Sequence, residues 1–325
     1  MRGRVIGLGL LGLGAFLLAG ALAVRLLLEP SLVKLPLDQE AMPTAVGSDI
    51  SWYDFENKQQ MRGLEADVVQ EVEGRADDPA ANEDVAVWSF GSTITATDGT
   101  LLNAGTYRVC LDRREAVAVD CQSDHVEYDD DVAVEGLTLT FPFGTEKRDY
   151  DVFNSTARQA FPATFEGVED KGGLETYRFQ MSIPETTIRS LELPGTQLGL
   201  TDAALVPVDV VYSNERTIWV EPVSGVIVTS TEEPQTEMRG EDGDTLVTVL
   251  SGSFGADEDT VADGVERAED YRGQISLVKT TLPLALLVVG LVLILVGALL
   301  LRRSRAGAHR SDTVEVEQVK EPQVW

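Results

Sequence analysis

Few side chains in this sequence have the types and spacing that catalysis requires. The 325 residues include two histidines, His125 and His309, and two cysteines, Cys110 and Cys121. A Ser-His-Asp arrangement in the middle of the chain would depend on His125, and no Gly-x-Ser-x-Gly motif accompanies it. P-loop, His-Glu-x-x-His and dinucleotide-binding glycine motifs do not occur in the sequence either. The sequence therefore predicts a protein that is not an enzyme and needs no cofactor.

One acidic run has oxygen atoms of the kind that a divalent cation prefers. Residues 124–131 read DHVEYDDD, and carboxylates are ligands for such ions. The run lacks the spacing and the glycine of an EF-hand loop. A solvated acidic loop explains it better, so we predict no metal site.

The two cysteines lie in the part of the chain that we place outside the cytoplasm. An even count and an oxidising compartment favour a disulfide between Cys110 and Cys121, worth at most about 3 kcal/mol. Two free thiols are the alternative. If residues 112–115 form a four-residue turn, Cys110 faces Val117 rather than Cys121. A disulfide then requires a shifted turn or a bend after Val119.

Large aromatic residues are the remaining candidates for a binding site. The segment Phe141-Pro142-Phe143 has a proline between two phenylalanines, which marks a strand edge or bend where rings can face a pocket. We predict Phe141, Phe143 and Trp219 as residues lining a site for a lipid or another apolar molecule. The alternative is that these rings belong to the core, because aromatic side chains bury a large area.

The acidic charge of the chain excludes one class of partner. Lysine and arginine number 26 and aspartate and glutamate 54, which gives a formal charge of −28. A nucleic-acid-binding protein needs clustered basic residues to meet a polyanion. We therefore expect no nucleic-acid partner.

Two uncharged segments, Val5–Val24 and Leu282–Leu301, are long enough to cross a lipid bilayer as helices. Arg2 and Arg4 precede the first segment, and three arginines follow the second. The positive-inside rule places both termini in the cytoplasm and the intervening chain outside it. The sequence thus predicts a two-pass protein of the cell membrane.

The first apolar segment has an alternative interpretation as a cleaved signal peptide, because residues 21–23 (ALA) resemble a cleavage site. An uncleaved anchor is favoured because the apolar stretch exceeds the usual signal length. Gly3, Gly7 and an alanine row at positions 15, 19 and 23 would permit close packing of the two helices. Such residues are common in membrane helices, and composition alone explains them.

The pattern between the two helices is typical of β-structure. Short runs rich in Val, Ile, Phe and Tyr alternate in polarity and are separated by Pro, Gly, Asp and Thr. The predicted fold class is mainly β: a β-rich α+β domain with curved sheets, flanked by two transmembrane α-helices. The predicted parts are a membrane helix (1–28), an acidic extracytoplasmic domain (29–278), a second membrane helix (279–301) and a disordered cytoplasmic tail (302–325).

Two pairs of segments match without gaps and indicate an internal duplication. Residues 109–119 (VCLDRREAVAV) match residues 218–228 (IWVEPVSGVIV), and residues 85–94 match residues 174–183. Both halves have the same order, and the second carries about twenty extra residues. The hypothesis is a pair of related β units within residues 68–125 and 164–232. The alternative is that unrelated amphipathic hairpins look alike.

Several of these segments resemble the porin PorA family. The resemblance covers LPLD (35–38), LDRREAVAVDC (111–121), residues 136–188, TIWVEPVSGVIV (217–228) and the two flanking helices. It implies an actinobacterial two-helix membrane protein with an extracytoplasmic domain, and the family name implies a porin. A β-barrel porin crosses the membrane with strands of about ten residues whose outer face is apolar. The strands predicted here are too charged to face lipid.

Three functional hypotheses follow. The first is a binding module that holds or passes a lipid or another apolar envelope molecule in a curved-sheet cavity. The second is a non-catalytic structural or assembly protein of the envelope. The third is an oligomeric pore, which is disfavoured because neither helix has a central polar residue.

Overall fold

The computed structural model describes residues 2–127, 129–202 and 204–308, and these form two compact units. One unit contains the described residues of 1–32 and 274–325, and the other is Val33–Gly273. The predicted boundaries after residues 28 and 278 lie close to these divisions and stay predictions. Part of the predicted disordered tail is helical as far as Ala308, and the rest lies outside the described residues.

The helical unit contains the two membrane segments. Helix α1 (Arg2–Ala23) continues through a π-helical turn (Val24–Leu28) into α2 (Glu29–Leu32). Helix α3 (Glu258–Ser276) belongs mainly to the other unit and continues through a second π-helical turn (Leu277–Thr281) into α4 (Leu282–Ala308). Within the described residues, Arg4–Leu32 and Glu258–Arg303 are the helices long and apolar enough to cross a membrane.

Helices α1 and α4 pack through glycines spaced seven residues apart. A Cβ atom at Gly14 would lie 2.7 Å from the carbonyl oxygen of Gly290, and one at Gly7 would lie 3.1 Å from that of Gly297. A seven-residue spacing keeps these glycines on one helix face, where they permit close backbone approach. Gly7 therefore lies in the interface. The predicted alanine row does not, because Ala15 and Ala19 are exposed.

The second unit is a single antiparallel sheet with helix α3, which confirms the mainly β fold class. Its strands are β1 (Glu40–Ala41), β2 (Thr44–Asp54), β3 (Gln59–Gly74), β4 (Val85–Ala96), β5 (Leu101–Asp112), β6 (His125–Val126), β7 (Tyr150–Asn154), β8 (Gln159–Lys171), β9 (Leu174–Pro194), β10 (Leu205–Val220), β11 (Ile227–Arg239) and β12 (Thr245–Gly255). The strand order is β6-β5-β4-β3-β2-β12-β11-β10-β9-β8-β7, with β1 paired to β3. A 3₁₀ turn (Gly195–Leu198) lies between β9 and β10.

The sheet curls into a half-barrel. Register shifts interrupt the pairing of β12 with β2 and of β2 with β3, and such bulges increase the local twist and bend of a strand. Gly47 of β2 permits a close approach there, since a Cβ atom would lie 2.6 Å from the ring of Phe254. The curl brings the two outermost strands together. Arg158, in the turn after β7, lies 2.6 Å from Asp129 and 3.3 Å from Glu127, which follow β6.

The main core of this unit lies on one face of the sheet and includes part of the long segment 117–149. Phe179 and Ile218 from the strands are fully buried there. Val126, Leu137 and Phe141 of the long segment pack against them. The segment is held in place by a parallel bridge between Leu137 and Val152 of β7. The core face of the sheet at this position is thus covered by the protein's own chain.

The meanders β2–β5 and β7–β10 share their strand order and their turns. The turn after β2 has Lys58 at φ 55° and an Asp54 cap on the amide of Asn57; the turn after β7 has Arg158 at φ 56° and an Asn154 cap. The turns after β5 and β10 also match, with Asp112 equivalent to Glu221 and Ala116 to Gly225. Ala116 and Gly225 both have positive φ, and the amide of each donates a hydrogen bond to the carbonyl oxygen of the residue four positions earlier. These features support the duplication, which stays a prediction.

Candidate functional site

Phe141 and Phe143, two of the predicted ligand-lining residues, belong to the same core. Phe141 is 1% exposed, and its ring stacks on Phe179 with centroids 4.9 Å apart and meets Tyr150 edge-on at 5.4 Å. Phe143 packs partly buried against this cluster. The Phe141 amide donates to the carbonyl of Gly225 at 2.9 Å. The Phe-Pro-Phe segment therefore packs into the core on this face of the sheet and leaves no pocket beside Phe141.

Trp219, the third predicted residue, lies on the other face of β10. Its neighbours Ile218 and Val220 face the main core, and successive side chains of a strand point to opposite faces. The indole Nε1 donates to Glu169 at 2.7 Å, and the Lys171 ammonium lies 3.9 Å from the ring centroid. The structure thus keeps Trp219 apart from the two phenylalanines.

The predicted disulfide between Cys110 and Cys121 is formed, with the Cα atoms 6.2 Å apart. Both geometries that the sequence allowed contribute. The turn is shifted, so that Leu111 pairs with Ala118 and Cys110 faces Val119 rather than Val117, and the chain bends after Val119. The Val119 amide still donates to the Cys110 carbonyl at 2.9 Å, and the chain then turns so that Cys121 reaches back. Asp124 completes the bend by accepting a hydrogen bond from the Cys110 amide at 2.8 Å.

Asp124 has the most unusual carboxyl group near the disulfide. Burial raises its pKa to about 6, and the nearby charge of Asp120 acts in the same direction against its backbone hydrogen bonds. Its carboxylate and the two sulfur atoms lie within 4.8 Å of one another. Because the sulfurs are joined, they carry no thiolate, and the cluster provides a single carboxylate as a metal ligand.

A polar row that the sequence analysis missed lies on the core-facing side of β10. Tyr212, Asn214, Arg216 and Ile218 alternate along this strand, and we call them the core-facing row. Asn214 donates to Glu232 of β11 at 3.1 Å, and Tyr212 accepts from Asn154 at 3.2 Å. In the sequence, the residues of the core-facing row are the alternate positions of the run YSNERTI (212–218). The row could not be recognised without knowing which alternate positions face inward.

Two buried tyrosines lie near this row. Burial raises the pKa of Tyr107 to about 12, opposed by its 2.5 Å hydrogen bond with Thr138 and by the charge of Arg216. Burial likewise raises the pKa of Tyr212 to about 12, and the Arg216 charge again opposes it. The positive charge of Arg216 thus acts to lower the pKa of both hydroxyl groups.

The extra residues of the second half form a long extension of the β9–β10 hairpin. Strand β8 pairs with β9 only as far as Met181, so residues 182–194 have β10 on one side and, among the described residues, no strand on the other. A depression of about 280 Å³ opens beside this extension. It is lined by Ser190, Leu191, Glu192, Pro207, Val208, Asp209, Gly240 and Glu241.

Of the two histidines, the structure describes His125. His125 lies on β6, and its Nδ1 atom is buried without a hydrogen-bond partner among the described residues. His309 lies outside the described residues. The site features are thus a disulfide, a polar row inside the curl and an open strand edge.

A β-rich unit attached to two apolar, membrane-crossing helices defines the class: a membrane protein with helical anchors. The profile of the family Porin PorA matches residues 6–299. A Porin PorA of Corynebacterium amycolatum is 26% identical over 272 residues, covering 67% of this chain and 70% of the relative. A Porin PorA of Corynebacterium resistens is 24% identical over 315 residues, covering 72% and 76%. The chain belongs to the porin PorA family.

Proposed function

We propose that this protein is a non-catalytic scaffold of the cell envelope, anchored in the cell membrane by two helices. Residues 33–273 lie outside the cytoplasm and both termini lie inside. Arginines precede the first apolar segment and follow the second, and the positive-inside rule places these two ends in the cytoplasm. The disulfide supports it too, because disulfides persist in oxidising compartments.

One observation carries the scaffold function: the curled sheet is filled by its own side chains where a ligand site was expected. Phe141 is buried against Phe179, and segment 117–149 covers the core face. A domain whose core is filled at this point presents a rigid surface. The unpaired edge of β9 at residues 182–194 provides such a surface, since an open edge can pair with an added strand.

Lipid carriage, the first of the hypotheses from the sequence, has no support in the described residues. Ligand pockets that bury most of a drug-sized molecule occupy about 300–1,000 Å³. The depression beside β9 has about 280 Å³ and is lined by three carboxylates, which do not suit an acyl chain.

A pore is compatible with the names of the relatives, so it is the alternative that must be tested. The membrane segments of both helices are uncharged, and a water-filled path needs polar groups along it. The strands cannot supply a lipid-facing wall, because charged side chains on that face are destabilising. Strand β3, for example, has Glu65, Asp67 and Glu71 among its exposed positions.

The deciding experiment uses the full chain reconstituted in planar bilayers and in nanodiscs. We expect no stepwise conductance above that of bilayers reconstituted without protein. We also expect native mass spectrometry to release the protein without a retained neutral lipid. Step conductances that depend on the protein would replace the scaffold with a pore, and a stoichiometric neutral lipid would restore carriage.

A second experiment tests the scaffold directly in living cells. A photo-crosslinking amino acid replaces Thr187, exposed on the extended part of β9, or Glu71, exposed on the interior strand β3. We expect the Thr187 variant to form an adduct of discrete mass with an envelope component and the Glu71 variant to lack that adduct. Identical patterns from the two positions would contradict a role for this edge.

A further inference from the structure

Arg216 stands apart from the other partly buried arginines of the sheet because no hydrogen bond or ion pair joins its guanidinium to another of the described residues. Among the residues that the structure describes, its Nε atom is buried without a hydrogen-bond acceptor, and no carboxylate forms an ion pair with it. Arg239 on the neighbouring strand shows the usual solution. Its two terminal nitrogens meet Glu185 at 2.7 and 2.8 Å, and its Nε meets Glu237 at 2.9 Å.

An unpartnered guanidinium on this face is costly. Arginine keeps its charge in proteins, so Arg216 cannot escape the cost by losing a proton. Burying a charge is unfavourable unless another charge or hydrogen bonds compensate for it. The chain has 54 acidic residues, and its other strands repeatedly use them to pair arginines. The exception at Arg216 indicates that the compensating anion comes from outside the chain.

The neighbours of Arg216 favour an oxyanion. Tyr212, in the same core-facing row, adds a polar hydroxyl group that accepts a hydrogen bond from Asn154 and also interacts with Asn214. Glu232, directly opposite Arg216 on β11, already accepts from Asn214. Its charge weakens the binding of any anion, whereas the planar guanidinium favours ligands that meet it through paired oxygens. Carboxylates and phosphates have this geometry.

We propose that Arg216 anchors a binding site for an oxyanion on the inner side of the curled sheet. The ligand presents a carboxylate or phosphate group, either as a small free ion or as the headgroup of an anionic lipid. Arg216 retains partial exposure to solvent, so a ligand can reach the group. The site is independent of the scaffold function, because it involves neither the β9 edge nor the membrane helices.

The test compares the full chain in a neutral detergent with two variants that each lose one positive charge. Arg216→Gln removes the guanidinium and keeps a side chain of similar length. Arg62→Gln is the matched control, because Arg62 is exposed on β3. Each protein is titrated with inorganic phosphate at constant ionic strength while the midpoint of thermal unfolding is recorded. A ligand that binds the folded state raises this midpoint in a saturable way.

We expect a saturable rise for the wild type and for Arg62→Gln, and a loss of affinity of about tenfold or more for Arg216→Gln, since a charge-assisted hydrogen bond is lost. In the absence of phosphate, Arg216→Gln should unfold at the same or a higher temperature than the wild type. A wild type that does not respond to phosphate and retains no anionic lipid overturns the proposal. So does a phosphate response that Arg216→Gln preserves.

A second arm distinguishes the two sources of the anion. The full chain is placed in nanodiscs of phosphatidylcholine with or without phosphatidylglycerol and released for native mass spectrometry. Retention of one phosphatidylglycerol by the wild type but not by Arg216→Gln identifies a lipid headgroup. A phosphate response without lipid retention identifies a free ion. If Arg216→Gln does not fold, Arg216→Lys replaces it, because lysine keeps the charge without the paired donors and should bind more weakly.

Discussion

The carboxyl group of Asp124 lies beside the disulfide in an environment that disfavours its charge. The group accepts the Cys110 amide, yet burial and the charge of Asp120 raise its pKa to about 6. Between its unfolded pKa of about 4 and this value, the folded chain holds a proton that the unfolded chain releases. Asp124 therefore lowers the stability of the folded state as the pH rises through this window.

We expect Asp124→Asn to stabilise the protein at pH 7.5 by about 1 kcal/mol after allowance for its partial exposure, and by little at pH 4. The asparagine oxygen still accepts the Cys110 amide and carries no charge. Thermal unfolding of the full chain in detergent at the two pH values measures the difference.

The control for this prediction is Asp98→Asn. Hydrogen bonds from Thr100 hold the pKa of Asp98 below its usual range, so its contribution is present at neutral pH and is lost as the pH falls. Asp98→Asn should therefore destabilise the folded state more at pH 7.5 than at pH 4. If Asp124→Asn also destabilised the protein more at pH 7.5 than at pH 4, this result would contradict the raised pKa of Asp124.

At the scale of elements, two equivalent turns have different tolerance to substitution. Gly225, after β10, has φ +75°, and a Cβ atom there would lie 2.1 Å from the carbonyl oxygen of Phe141. Ala116, after β5, has φ 58° and is fully buried. The first turn therefore requires glycine for both its conformation and its packing, whereas the second already accommodates a methyl group.

We predict that Gly225→Ala destabilises the protein by about 3 kcal/mol, since the strained φ adds to displacement of the Phe141 segment. Ala116→Gly should change stability by less than about 1 kcal/mol, because relief of the positive φ offsets the lost methyl contacts. Chemical denaturation of both variants, followed by tryptophan fluorescence, measures the contrast. Equal losses in the two turns would contradict this account.

The two membrane helices allow a similar comparison. A Cβ atom at Gly14 would lie 2.6 Å from Ile294, whereas nothing lies within 4 Å of one at Gly12. We expect Gly14→Ala to weaken the α1–α4 pair by about 1 kcal/mol and Gly12→Ala to leave it unchanged. Unfolding in mixed micelles of increasing sodium dodecyl sulfate provides the measurement. If Gly12→Ala weakened the α1–α4 pair as much as Gly14→Ala, the observed helix interface would be wrong.

The sequence revealed the elements better than it revealed the site. Alternating polarity marked the strands, and the equivalence of Asp112 with Glu221 located both turns correctly. The seven-residue glycine spacing was present in the sequence but has no meaning until the partner helix is known. The packing of Phe141 was also hidden, because segment 117–149 has no period from which a buried face can be inferred. Arg216 was missed because an unpaired charge is recognised only once its neighbours are in place.

On the scale of the whole molecule, the disulfide fixes the start of segment 117–149 to strand β5, and the rest of this segment covers the core and reaches β7. We expect the double variant Cys110→Ser, Cys121→Ser to lose about 2 kcal/mol of stability. This is less than the limit of about 3 kcal/mol set by loop entropy, because hydrogen bonds from Val119 and to Asp124 also hold the bend. Limited proteolysis should then cleave within residues 119–135 before it cleaves elsewhere. Cleavage that starts instead in the β9–β10 hairpin would show that the disulfide does not restrain this segment.

The position of the last strand in the middle of the sheet has a consequence for biosynthesis. Strand β2, the first long strand to be made, pairs on one side with β12, the last. Some 190 residues separate them, which corresponds to roughly 10–40 s of translation at ordinary rates. Throughout that interval β2 has an open edge, which is a template for aggregation. The nascent chain should therefore depend on a chaperone that shields this edge until β12 arrives.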